Sequence, residues 1–166
     1  SIGVVENPGI PELNAKVSLA NESPVRGIAT SGWRGRSMSL GIADAVTVLA
    51  KSAADADVAA TLIANEVNVD FPGIEKRPAS EVKDESDLGM ILVTVHVPDL
   101  PEDKISTALE RGVNTARKFI KAGKITAAYL SLQKQTLVID NNLAAAVNSC
   151  NSRESGNPET CKYLKK

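Results

Sequence analysis

The sequence predicts an α+β domain in which helices pack on a mixed or antiparallel sheet. Two segments repeat apolar residues at a helical spacing, and the remaining apolar segments are short and read as strands. The segments run as several strands, a helix, a strand, a long helix and two strands, which is not a regular βαβ alternation. One domain over residues 1–147 is therefore expected, followed by a polar tail over residues 148–166 that we expect to be disordered.

Turn-forming residues such as NPGIPE and NESP separate the predicted strands. The segment DAVTVLA is an unbroken apolar run with β-branched residues, which favours a buried strand. MILVTVHV gives the clearest strand pattern in the chain. The predicted strands are Ile2–Glu6, Ala15–Ala20, Val25–Ser31, Asp44–Ala50, Met90–Val97, Ile125–Gln133 and Thr136–Asp140.

Two helices are predicted, over Ala53–Val67 and over Pro101–Gly123. The apolar stripe of the first is mostly alanine, so this face can approach a neighbouring element closely. The second begins with a proline followed by two acidic residues and stops at a glycine, as helices commonly do. Between them, Asn68–Gly89 reads as a long polar connection, either a functional excursion or a mobile loop.

Composition excludes several classes of function. The net charge is −1 and aromatic residues make up only 3% of the chain, so neither general nucleic-acid binding nor stacking on single strands is expected. No apolar run approaches the roughly 18 residues of a membrane helix, and no signal peptide is visible, so we expect a cytoplasmic protein without a membrane partner. Cys150 and Cys161 lie in the polar tail, where either a disulfide or free thiols fit the pattern.

The stretch SGWRGRS, residues 31–37, predicts a loop that holds an anion. Arg34 and Arg36 bring two guanidinium groups within three positions, which suits paired hydrogen bonds to a phosphate or carboxylate. Gly32 allows a ligand to approach the backbone, and Ser31 and Ser37 add hydroxyls. A surface loop with solvated arginines explains the same residues, and spacing alone does not decide between the two.

Asp57 and Thr61 are four residues apart, so they share one face of the first helix. At the edge of the apolar stripe both are expected to be half-buried. A carboxylate and a hydroxyl placed in this way suit a hard cation such as Mg²⁺. The alternative is structural: Asp55 or Asp57 helps to start the helix and Thr61 bonds back to the backbone.

Other candidate residues carry weaker signals. Trp33 is either a core residue or a cover for a planar ligand, and Asp44 either begins a strand or serves as an acid of the site. His96 is the only histidine, so a zinc site is not expected. A hydrolase using Ser37 or Ser39 is a third hypothesis, although no base is placed to activate either serine.

The motif GIATSG resembles part of ApbE-type proteins. The motifs SGWRGRS, SLGIADAVTVLA, ADVAATLIAN and SDLGMILVTV together resemble the ApbE-like family of bacterial and archaeal proteins, from Ile2 to about Ile139. ApbE proteins are Mg²⁺-dependent flavin transferases that cleave FAD and attach its FMN part to a threonine of a target protein. The resemblance implies an ApbE-like, T-fold-related architecture and matches Asp57 and Thr61 to the metal-binding pair of the family. It also implies an N-terminal region ahead of Ile2, so we expect the chain to associate with that region or to form a homo-oligomer.

The chain departs from ApbE proteins where they carry a His-Ile-Ile-Asp-Pro-type segment, because WRGRSMSLGIAD stands in its place. The first hypothesis is a protein that binds a phosphate-bearing small molecule, such as FAD or FMN, with Mg²⁺. Metal-assisted nucleotidyl or FMN transfer is its implied reaction. The alternative is an interaction or scaffold domain that keeps the fold and has lost the chemistry.

Overall fold

The computed structural model describes residues 2–4, 15–17, 22–35, 37–84, 86–140 and 144–145. The strands are β1 Ile2–Val4, β2 Ala15–Val17, β3 Gly27–Ser31, β4 Ala45–Ala50, β5 Glu75–Pro78, β6 Leu92–His96, β7 Ile125–Leu132, β8 Gln135–Asp140 and β9 Ala144–Ala145, and the helices are α1 Ala53–Glu66, α2 Ala79–Val82 and α3 Glu102–Lys121. Residues 148–166 lie outside the described residues, and so do Cys150 and Cys161.

The strands form three antiparallel sheets. Five strands make the main sheet in the order β3-β4-β7-β8-β9, while β1 pairs with β2 and β5 pairs with β6. Helices α1 and α3 pack against the main sheet and against each other. The predicted α+β class is thus confirmed, and the described pairings are antiparallel rather than mixed.

The core lies between the main sheet and the two long helices. Strand β4 contributes Val46, Val48 and Ala50 to it, and α1 contributes its alanine stripe together with Ile63. Small residues keep these layers close. A side chain added at Gly112 of α3 would overlap Val67, so the helix lies directly on this neighbour.

Helix α1 runs back along β4. It begins just after β4 ends, and Ser52 caps it by accepting a hydrogen bond from the backbone N–H of Asp55 at 3.1 Å. Just beyond its last residue, the carbonyl of Val67 accepts a hydrogen bond of 2.8 Å from the backbone N–H of Ile42. The C-terminal end of α1 therefore lies beside the segment that leads into β4, and its N-terminal end lies at the far end of that strand.

The connection between α1 and β6 is more ordered than the sequence predicts. It was expected to be a polar excursion or a mobile loop, but within it Glu75–Pro78 pairs with β6 and Ala79–Val82 forms a helical turn. The segment EKRPASEV is too polar and too short to show either period, so only pairing with the apolar β6 reveals the strand. The hairpin between β7 and β8 turns at Gln133 and Lys134, one residue earlier than predicted.

Neither of the long helices in the described part of the chain combines the length and apolar character that crossing a bilayer requires. Several large apolar side chains are exposed, among them Met90, Ile91 and Leu92, which are consecutive. The expected association with another region or another copy stays a prediction.

Candidate functional site

The described residues between β3 and β4, 32–35 and 37–44, belong to a loop whose two ends are joined. We call it the Arg34 loop. The backbone N–H of Trp33 donates to the carbonyl of Ala43 at 3.0 Å, and the N–H of Gly35 donates to the carbonyl of Gly32 at 3.2 Å. A side chain at Gly32 would collide with the backbone carbonyl of Asp44, so only glycine fits this close approach.

Asp44 closes the loop and bonds to two separate parts of the chain. Its Oδ1 accepts from the Nε of Arg34 at 2.8 Å and from the indole Nε1 of Trp33 at 3.2 Å. Its Oδ2 accepts from the backbone N–H of Gln133 at 2.6 Å, in the β7–β8 turn. The side chain of Asp44 is only 10% exposed, and hydrogen-bond partners such as these offset the cost of burying its polar oxygens.

Arg34 is held in a fixed orientation by these contacts. Its guanidinium carbon lies 4.5 Å from the centre of the Trp33 ring, in a cation–π contact, and its Nε is paired with Asp44. The two terminal nitrogens form no hydrogen bond to any described residue, and the side chain is 38% exposed. Arg34 thus keeps a pair of oriented donors for an anion. The face of Trp33 that Arg34 covers is not open to a planar ligand.

Gln133 ties this arrangement to a third segment. Both Gln133 and Lys134 have positive φ, 46° and 71°, as a two-residue hairpin turn requires. The side-chain amide of Gln133 donates to the carbonyl of Pro98 at 2.6 Å and accepts from the N–H of Leu100 at 2.8 Å. The Asp44 carboxylate is therefore anchored to a turn that is itself fixed, which makes the Arg34 position rigid.

The far part of the Arg34 loop is bonded to the last turn of α1. Asn65 accepts through its Oδ1 from the hydroxyl of Ser39 at 3.1 Å and from the N–H of Leu40 at 2.9 Å. The Ser39 hydroxyl also accepts from the N–H of Gly41 at 3.2 Å, and Ser39 is 1% exposed. Ser39 is thus a buried structural residue. Its burial does not suit the nucleophile of the hydrolase hypothesis, which for the exposed Ser37 stays a prediction.

The predicted anion-binding residues divide into described and undescribed positions. Arg36 lies outside the described residues. Ser31 is half-buried at the end of β3, Gly32 is buried, and Ser37 is exposed. Among the predicted anion-binding residues that are described, Arg34 is the one with cationic N–H donors that have no partner in the described structure.

The predicted metal ligands lie elsewhere. Asp57 and Thr61 are exposed rather than half-buried, because each lies about 100° further around α1 than the buried Ala56 and Ala60 that precede them. Asp57 lies in the second turn of α1 and Thr61 in the third, whereas the last turn of this helix is the part that lies beside the segment leading into β4. Neither of them forms a hydrogen bond or ion pair to a described residue of the Arg34 loop, and the described part of the chain contains no group of three or more His, Cys, Asp or Glu residues placed to hold a metal ion.

Helix initiation is carried by Asp55 and not by Asp57. The hydroxyl of Ser52 donates to Oδ2 of Asp55 at 2.6 Å and accepts from its backbone N–H, so the two residues form a reciprocal cap. Asp57 is left exposed to solvent.

Sequence reasoning left the role of Asp44 open and did not find Gln133 or Asn65. A carboxylate directly ahead of a buried strand was the available signal for Asp44. Nothing in the sequence pairs it with Gln133, which is 89 residues further along the chain.

The comparisons with known proteins identify a family. No protein of curated function matches the chain, and no solved structure matches it. A family model with the description AbpE bacteria matches residues 1–140, which include the Arg34 loop, both long helices and eight of the described strands. The chain belongs to the AbpE bacteria family.

Proposed function

We propose that the protein binds a phosphate-bearing small molecule at the Arg34 loop. The observation that carries this proposal is the oriented guanidinium of Arg34, which is fixed by Asp44 and Trp33 while its terminal nitrogens have no partner among the described residues. A planar guanidinium presents parallel donors that match two phosphate oxygens. Because the arginine is already oriented, less conformational entropy is lost when the anion binds.

The charge of Asp44 does not cancel this site. Its Oδ2 is occupied by a backbone N–H and its Oδ1 is shared between Arg34 and the Trp33 indole. These hydrogen bonds occupy the Asp44 oxygens, so the carboxylate does not reach the terminal nitrogens of Arg34. The exposed end of Arg34 keeps positive potential toward solvent, where a ligand would arrive.

The finer proposal rests on the resemblance to ApbE flavin transferases. In this proposal the ligand is a flavin nucleotide, FAD or FMN, and Asp57 and Thr61 provide oxygen ligands for Mg²⁺. One carboxylate and one hydroxyl on the same exposed face of α1 fit a hydrated Mg²⁺ only when ligand phosphates supply further oxygens. When bound, Mg²⁺ would neutralise charge on those phosphate oxygens and assist transfer of the FMN part.

A second candidate function is a non-catalytic interaction or scaffold domain. It is favoured by the placement of Asp57 and Thr61 in the part of α1 that lies away from Asp44. One ligand could contact both Arg34 and the pair Asp57 and Thr61 only if it were an extended molecule. The replacement of the histidine-containing segment by the Arg34 loop points the same way.

Calorimetric titration with inorganic phosphate, FMN and FAD tests the proposed function. We expect Arg34→Ala to weaken binding of the phosphate-bearing ligand about tenfold or more, because a hydrogen-bonded charge is lost. Arg26→Ala is the matched control, since Arg26 is also exposed and next to β3 but bonds to the carbonyls of Ser23 and Val25. Equal affinities of the two variants would reject the Arg34 site.

The magnesium proposal has its own test. With FAD or FMN as the ligand, we expect Mg²⁺ to strengthen binding to the parent protein and to have no such effect on Asp57→Asn. Asp99→Asn serves as the control, because Asp99 is an exposed carboxylate in a loop. If Mg²⁺ strengthens flavin binding equally in both variants, Asp57 is not a metal ligand. Absence of any flavin binding, with phosphate binding intact, would favour the scaffold alternative over FMN transfer.

A further inference from the structure

An open pocket of about 430 Å³ lies between the start of the α1–β5 connection, β5 and α3. Its walls include Asn68 and Phe71 from the connection, Lys76 from β5 and Arg111 from α3. The volume is in the range of pockets that hold small molecules. This pocket does not include Arg34, Asp57 or any other residue of the predicted site.

Two cations face this pocket without an ion-pair partner. The Nζ of Lys76 donates to the backbone carbonyl of Leu40 at 2.7 Å, and Nη1 of Arg111 donates to the carbonyl of Asn68 at 3.4 Å. The salt bridges among the described residues are Arg34–Asp44 and Arg77–Glu75, so neither cation is paired. Asp70 also lines the pocket, but it is exposed and pairs with neither of them.

The environment of Lys76 disfavours an isolated positive charge. The side chain is half-buried, and desolvation by burial lowers the pKa of its ammonium group. An anion bound beside it would supply the missing opposite charge. Lys76 and Arg111 therefore bring to one pocket two cations without a described carboxylate partner, and an anionic ligand there would pair with both.

A buried hydroxyl lies beside Lys76. Thr94 is its direct cross-strand partner in the β5–β6 pair, so the two side chains are on the same face of this small sheet. Thr94 is 5% exposed, and its Oγ1 has no hydrogen-bond partner among the described residues. Buried hydroxyls are usually satisfied, but Thr94 does not line the pocket, so its hydroxyl is a neighbour of Lys76 and not a ligand of the site.

Part of the remaining wall is apolar, beside the polar Asn68 and Asp70. Phe71 and Ile74 line the pocket, are half-buried and pack against the main core. A simple inorganic ion would leave this surface in contact with water, whereas an apolar group attached to the anion would cover it.

We infer that this pocket binds a small organic anion, with Lys76 and Arg111 holding a carboxylate or phosphate and Phe71 and Ile74 contacting an apolar or aromatic part. The site is independent of the Arg34 loop in its side-chain ligands. Among the described residues, Lys76 and Asn68 of this pocket both donate to the Leu40 carbonyl of that loop.

Phenyl phosphate is a suitable probe, because it combines the two features, and amide NMR spectra of the whole chain report where it binds. We expect shifts in residues 68–76 and around Arg111, with affinity higher than that of inorganic phosphate. Arg111→Ala should weaken binding about tenfold. Arg117→Ala is the matched control, since Arg117 is also exposed on α3 but does not line the pocket.

Lys76→Ala should weaken binding to a similar degree, and Lys76→Arg, which keeps the charge, should retain most of it. Arg34→Ala should leave these shifts unchanged, so this site and the proposed function can fail separately. Absence of shifts in residues 68–76, or an equal effect of Arg111→Ala and Arg117→Ala, would overturn the inference. Equal binding of benzoate and phenyl phosphate would show that the pocket accepts either anion, and saturable binding of both supports the stated class.

Discussion

At the start of β4, the Asp44 carboxylate bonds to three donors, whereas Asp57 and Thr61, on the helix that runs back along β4, are exposed and bond to no described residue of the Arg34 loop. The sequence singles out both places by similar features, a pair of polar residues at a short spacing. One is tied into the tertiary structure and the other faces solvent. The difference is that Asp44 has a partner from a distant part of the chain, Gln133, whereas Asp57 and Thr61 have no such partner among the described residues.

This comparison shows what short spacing can and cannot predict. Asp57 and Thr61 share a helix face, as the helical period requires, but nothing in the described structure converges on that face. Arg34 gains its orientation from Asp44, ten residues later, and Asp44 is itself fixed by Gln133. The orientation of a binding side chain thus depends on the residues that hold its own partners in place.

The tight packing at the Asp44 end should make it the more sensitive of the two regions. A Cβ at Gly41 would overlap the backbone carbonyl of Ala64, which cannot move without disturbing α1. We expect Gly41→Ala to lower the free energy of unfolding by about 3 kcal/mol, or Tm by about 10 °C. Thermal and urea denaturation measure this loss.

Gly35→Ala is the control within the same loop, because the nearest atom that its Cβ would meet is the carbonyl oxygen of Gly32 at 3.3 Å. A loss below about 1 kcal/mol is expected there. Similar losses in both variants would mean that the loop is uniformly strained rather than fixed at its junction with α1.

Replacing each carboxylate by its amide tests the comparison directly. Asp44→Asn removes the charge opposite Arg34 and leaves an amide N–H group against one of three donors, so we expect a loss of about 2 kcal/mol. The exposure of Arg34 keeps the effect at this level, because solvent screens the pair. Asp57→Asn should change stability by less than about 0.5 kcal/mol.

Chemical denaturation of the two variants provides the measurement. A large loss for Asp57→Asn would show that α1 has a polar partner at this position, and the contrast between the two regions would no longer hold.

The smallest effect is expected at the first turn of α1. Ser52 and Asp55 cap each other there, which explains the acidic start of this helix without a metal ion. Ser52→Ala should cost about 1 kcal/mol, and Ser106→Ala, at an exposed position within α3, should cost less than about 0.5 kcal/mol. Urea denaturation measures the free energy of unfolding of both variants, and equal losses would show that the Ser52 cap does not stabilise α1.

The sequence by itself determined the elements with a strong period. Helix α3, predicted over Pro101–Gly123, spans Glu102–Lys121, and α1 and β4 also lie where the apolar spacing placed them. Each of these elements has a buried face, so its apolar residues recur with a period of about 3.6 in a helix or 2 in a strand. Strand β5 escaped prediction because EKRP is polar, and it exists only by pairing with β6.

The tertiary structure decided which polar residues meet. Arg34 and Asp44 were both visible as candidates, but their pairing and the contact of Asp44 with Gln133 depend on how β4 lies beside β7. The same holds for Lys76 and Arg111, which are 35 residues apart in sequence and line one pocket because the segment that leads into β5 lies beside α3. Local spacing determines which side chains share a face of one helix or strand. A site needs side chains from several elements, and only the packing of those elements brings them together.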